Sequence, residues 1–159
     1  MTYEIINPEA LGPPRGWNNG MLAPEGGRVL FVAGQIGVGE GPGAGGAARE
    51  EAGAAPGTPA GAGAAAGDSE SAPDLAAQFG AALANVKRVV EGAGGAVADV
   101  GRLTIYVTDM EAYRGSLAEI GAEYRTVFGK HFPAMALVAV TELVDPHAVV
   151  EIEATAVIP

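Results

Sequence analysis

The sequence predicts an α+β fold, a sheet with two helices packed on one face, and three observations carry that prediction. Apolar residues alternate with period two along several short segments, recur at helical spacing along two longer ones, and Gly, Pro or Asp marks the boundaries between them. The order is strand, helix, strand, helix, hairpin, the pattern of a sheet covered on one side. At 159 residues, 48% of them hydrophobic, the chain is long enough for one modest core.

The first strand is "GRVLFVAGQIG", where Val29, Phe31 and Ala33 alternate with Leu30, Val32 and Gly34. Apolar residues on both faces suggest that both are covered. Residues 38–72 then form a Gly/Ala/Pro-rich insertion with no aromatic residue and only Val38 as a branched aliphatic one. Such a stretch buries too little apolar area to offset its ordering entropy, so it reads as a flexible excursion within a single domain spanning residues 1–159. Ser71, followed by Pro73 and Asp74, is the expected N-cap of the first helix. Leu75, Phe79, Leu83, Val86 and Val90 form its apolar stripe, and "GAGG" at 92–95 ends it.

"RLTIYVTD" is the next strand, with Leu103, Ile105 and Val107 on one face and Arg102, Thr104, Tyr106 and Thr108 on the other. Asp109 caps a second helix whose stripe runs from Met110 through Tyr113, Leu117, Ile120 and Tyr124 to Val127 and Phe128, with Gly129 as the stop. "AMALVAVTEL" and "AVVEIEATAV" read as a hairpin turning at Asp145-Pro146. The sheet face away from the helices mixes Val149, Glu151, Glu153 and Thr155 with apolar residues, and a half-apolar open face predicts an oligomer.

Composition removes several classes of function. Without cysteine there is no disulfide framework, thiolate nucleophile or Cys-ligated zinc. A net charge of −10 with nine scattered basic residues argues against a nucleic-acid partner, because phosphate binding needs clustered Lys and Arg. "MTYEIINPEA" lacks the charged and apolar regions of a secretory signal, and no run of about 18 apolar residues spans a membrane, so a cytoplasmic protein is expected. His131 and His147 stand alone without metal-ligand spacing and read as surface or interface residues. "GEGPGAGG" lacks the Lys-Ser/Thr and the following helix of a phosphate-binding loop, and Ser116 has no G-x-S-x-G context.

Five segments in register, "LFVAGQIG", "ALANVKRVVEGAGG", "VGRLTIYVTDMEAYR", "FGKHFPAMALVAV" and "VVEIEATAV", resemble the RidA/YjgF family over residues 3–37 and 74–158. The resemblance implies a YjgF/chorismate-mutase-like domain with a mixed, mainly antiparallel sheet. It also implies a homotrimer whose sheets form a central barrel, with small-molecule clefts between subunits. Family members hydrolyse reactive enamines and imines to keto acids and ammonia without metal or organic cofactor. By the same resemblance, the water-positioning glutamate falls on Glu151, the backbone of the "AGQI" turn on Ala33 and Gly34, the aromatic wall on Trp17, and a cleft-lining position on Leu137.

The carboxylate-binding arginine of the family falls on Met135. Methionine offers an anion neither charge nor donor, and a charge-assisted hydrogen bond is worth roughly 1.5–3 kcal/mol. The expected substrate therefore differs from 2-iminopropionate. Arg15 either supplies a cation from another direction or is an exposed loop residue. The preferred reading is an apolar cleft of Trp17, Met135 and Leu137 for an aromatic or uncharged ligand. Asn18 and Asn19 are either polar contacts of that cleft or a turn, and Glu153 reads as solvated or hydrogen-bonded at an interface. The rival function is a non-catalytic small-molecule-binding or protein-interacting trimer of the same fold.

Overall fold

The computed structural model describes residues 2–14, 16–38 and 74–159; Arg15, Ser71 and all of the 38–72 insertion except Val38 lie outside them. The elements are β1 (Glu4–Ile6), β2 (Gly20–Leu22), β3 (Arg28–Ile36), α1 (Leu75–Gly92), β4 (Val100–Val107), α2 (Met110–Gly115), α3 (Leu117–Phe128), β5 (Ala134–Ala139) and β6 (Val150–Ile158). β1 and β2 pair as a small separate ribbon that alternation alone did not reveal, each strand being three residues long.

The main sheet has the order β3-β6-β4-β5. β6 is its heart: Val150, Ile152, Ala154, Ala156 and Ile158 are all buried on the helix side. It runs antiparallel to both β3 and β4, whereas β4 and β5 are parallel and joined by the helical crossover. The α+β class and mixed sheet expected from the sequence are thus present. The expected β5–β6 hairpin is not, because β4 lies between the two strands. The connection instead wraps around the end of β4, where Val140 N donates to Val107 O (2.9 Å) and Thr108 N donates to Val149 O (3.1 Å). The turn at Asp145 is real, with His147 N bound to its side chain at 2.8 Å. A turn signal locates a reversal of the chain and does not say which strands flank it.

Asp74 caps α1 by accepting from Ala77 N at 3.0 Å. All five residues of the α1 stripe are buried against the sheet, and Gly94, at φ +84°, closes the helix. Asp109 caps α2 through Glu111 N and Ala112 N. The second helix is broken into α2 and α3 rather than continuous, since Ser116 leaves the helical region at φ −109°, ψ 20°. A Gly-Ser pair at 115–116 is a common site for such a break. Ile120, Tyr124 and Phe128 of α3 join α1 in one hydrophobic core, and each fully buried aliphatic or aromatic side chain stabilises it by about 1.5–3 kcal/mol.

Among the described residues, the other side of the sheet carries no helix. Val29 and Phe31 face outward there, 57% and 80% exposed. Among the described residues, the double coverage expected for β3 is absent.

Candidate functional site

The β3–β6 ladder fixes where Glu151 sits. Val32 opposes Ala154 and Gln35 opposes Ile152, so Ala33 and Gly34 together face the single residue Glu153. This is a β-bulge, which bends the strand and leaves one residue outside the ladder. Gln35 holds the bent backbone by donating to Ala33 O (3.0 Å) and Gly34 O (3.3 Å). A Cβ on Gly34 would occupy the space of Glu151 Oε1 and stand 2.6 Å from its Cδ, so the missing side chain lets the carboxylate lie against the bulge. Ala33, Gly34 and Glu151 thus come together on the helix-free face.

Tyr106 is the β4 partner of Glu151, and Thr104 that of Glu153. The Tyr106 hydroxyl is pushed above its ordinary range, first by lost solvation and then by the charge and hydrogen bond of Glu153; Arg102 works against this and Glu151 adds to it. Tyr106 is therefore a neutral donor beside two carboxylates. Thr104 is buried with its hydroxyl unpartnered.

Met135 and Leu137 point the other way. Their β4 partners are Leu103 and Ile105, both core residues on the helix side. There they line a cavity of about 710 Å³ between β5, the α2–α3 pair and the loop before β2. Trp17 stands at its mouth, 44% exposed, and Tyr113, Tyr124 and Phe132 add aromatic walls. The loop is pinned by Asn18, whose Nδ2 donates to Phe132 O at 2.6 Å and whose Oδ1 accepts from Asn7 Nδ2 at 2.9 Å. Asn18 and Asn19 serve this tether, Asn19 N donating to Asn7 Oδ1 at 2.7 Å.

Below Trp17, Tyr124 stacks on Phe132 at 5.6 Å and donates to His131 O at 2.7 Å. His131 Nε2 lies 2.7 Å from Val100 O, which makes it the protonated ring nitrogen and gives the residue a structural role. Among the described residues one charged side chain lines the cavity, that of Arg125 on α3. The sequence reading missed it; its sign was a helical position four residues after Gly121 and one after the stripe residue Tyr124.

The residues singled out from the sequence therefore fall into two groups on opposite faces of one sheet. Ala33, Gly34 and Glu151 form the first; Trp17, Met135 and Leu137 form the second. Arg15 lies outside the described residues. Among those residues there is no group of three or more His, Asp or Glu side chains placed to hold a metal ion, and no helix long and apolar enough to cross a membrane.

Known proteins resemble this chain in sequence and fold. The 2-iminobutanoate/2-iminopropanoate deaminase of Escherichia coli K12 is 40% identical over 87 residues, a match covering 53% of this chain and 64% of that protein. A Rid-family protein of Yersinia pestis superposes with a TM-score of 0.70 at 30% identity, covering 99% of this chain and all of the other. E. coli TdcF, solved with bound serine, gives a TM-score of 0.54 at 27% identity and covers 100% and 99% of the two chains. The family model described as Endoribonuclease L-PSP matches residues 9–158, and the chain belongs to that family, the YjgF/RidA family.

Proposed function

We propose that the protein is a RidA-like hydrolase that deaminates a reactive enamine or imine with an apolar body, at a site assembled between two copies of the chain. The observation that carries this reading is the packing of Glu151 against the Ala33–Gly34 bulge, beside the neutral donor Tyr106. Water attacks the imine carbon while Glu151 takes up a proton from it. Glu151 returns that proton to the nitrogen to give a carbinolamine, whose hydroxyl proton then passes through Glu151 to the nitrogen as the C–N bond breaks, leaving a carbonyl and ammonia. Backbone groups at the bulge orient the substrate, and no metal or organic cofactor takes part.

Geometry supports the assembly between copies. Residues on opposite faces of one sheet are separated by the sheet itself, so the Glu151 group and the Trp17–Met135–Leu137 group cannot face one ligand within a single chain. A head-to-tail ring, a trimer in the family, brings one face of a subunit to the other group of its neighbour. The exposed Val29, Phe31 and Val138 of the helix-free face supply apolar area for such a contact. The deaminase relative supports the chemistry, and the bound serine of TdcF supports a small-molecule site. RNA cleavage, suggested by the family model's description, is disfavoured by a net charge of −10.

Met135 in place of a cation favours a second reading, a binding protein without turnover. Ammonia release from freshly generated 2-imino acids of increasing side-chain size separates the two. The hydrolase reading expects release that favours larger apolar side chains and falls about 10²–10⁴-fold in Glu151→Gln. No release from any of them, with ligand binding retained, establishes the binding protein instead.

A further inference from the structure

Among the described residues, Arg125 is the one cation on the wall of the cavity beside Trp17, and none of their carboxylates pairs with it. Among the described residues the single ion pair is Lys87–Glu91, so none of their carboxylates lies within 4.0 Å of the Arg125 guanidinium. The nearby acid Glu123 is turned toward Gly80 of α1, where a Cβ would stand 3.0 Å from its Cδ. Arg125 instead folds back along its helix over Gly121, whose Cβ, if present, would lie 3.2 Å from Nη1. A glycine one turn earlier thus leaves room for the planar head at the cavity edge. The remainder of the wall is apolar or aromatic, except for the Tyr113 hydroxyl, which burial keeps protonated and which has no partner among the described residues.

An unpaired guanidinium at the rim of an aromatic cavity suits one ligand chemistry: a carboxylate attached to an apolar or aromatic body. We propose that Arg125 is the anion anchor of this cavity, so that α3 supplies the charge missing at Met135, and that the ligand is an aromatic or branched aliphatic carboxylate. Shifting the cation from β5 to α3 puts the space freed by Met135 at the disposal of the ligand's side chain. The site thereby selects a bulkier acid than a two- or three-carbon imino acid. The inference deepens the hydrolase reading by naming its substrate class, yet it stands on binding alone.

Trp17 is the only tryptophan of the chain, so its fluorescence reports occupancy directly. Phenylacetate and its neutral isostere phenylacetamide are titrated against the full-length protein. Phenylacetate is expected to bind about 10- to 100-fold more tightly than the amide, the worth of a charge-assisted hydrogen bond. Arg125→Gln should abolish that preference by lowering phenylacetate binding toward that of the amide, and Arg125→Lys should keep part of it. Arg125 is exposed, so neither substitution threatens the fold. Equal binding of acid and amide by the native protein, no response to either, or a preference that survives in Arg125→Gln overturns the proposal. Acid preference without ammonia release from any 2-imino acid overturns the hydrolase reading and leaves this one standing. Ammonia release without acid preference does the reverse.

Discussion

Gly34 and Glu151 form the smallest unit of the account, because the absent side chain of one is the space taken by the other. Gly34→Ala puts a methyl group where Glu151 Oε1 now lies, so the carboxylate must swing away. A displacement of about 1 Å at a reacting group costs on the order of 100-fold in rate. Turnover in Gly34→Ala should therefore fall by about that factor, while far-UV circular dichroism stays native. Full activity in this variant would mean that the Glu151 position is not used. Glu151 as a candidate was legible in the sequence through family resemblance. Its surroundings were not, because a bulge is a defect in strand pairing and leaves no periodic signal. Arg125 was missed for a related reason: an exposed helical arginine looks like any solvated charge until the cavity beside it is seen.

At the scale of elements, α3 both closes the core and walls the cavity, and Tyr124 joins the two roles. Its hydroxyl donates to His131 O from a site that raises its pKa well above the free value near ~10 through burial. A phenol held neutral in the fold contributes its full stability below the unfolded value, and that contribution is lost as pH rises toward the folded one. Tyr124→Phe should lose about 0.5–1.5 kcal/mol at neutral pH and show a shallower fall in stability above pH ~10. Chemical denaturation at pH 7 and in that alkaline range measures both effects. An unchanged midpoint at pH 7 would show that the hydrogen bond adds nothing.

The helix stripes, the Asp109 cap and the glycine stops were readable because spacing and capping are local. Strand order was not. The ten residues between β5 and β6 turn at Asp145 as expected, yet only the apolar character of every helix-side β6 residue hints that this strand takes the centre. The break at Ser116 also escaped, since the apolar stripe continues unbroken across it.

At the scale of the molecule, the open sheet face is the feature that one chain cannot explain. Phe31 on the edge strand β3 is 80% exposed, and burying such a side chain is worth about 1.5–3 kcal/mol per copy. Phe31→Glu should shift sedimentation from an oligomer toward the single chain and lower activity with it. An unaltered oligomer would place the contact elsewhere. The mixed polarity of this face is what led to the expectation of an oligomer, whereas the placement of the candidate residues on two faces emerged only from the β4–β5 and β4–β6 registers.

The central claim, that one site draws on two copies, is tested most directly by subunit complementation. Glu151→Gln disables one group and Trp17→Ala the other, so each variant alone should be nearly inactive. When equal amounts are unfolded together and refolded, the account predicts recovery of about a quarter of native deaminase activity, from sites that pair the intact face of each variant. Activity no greater than the sum of the two separate variants would contradict it.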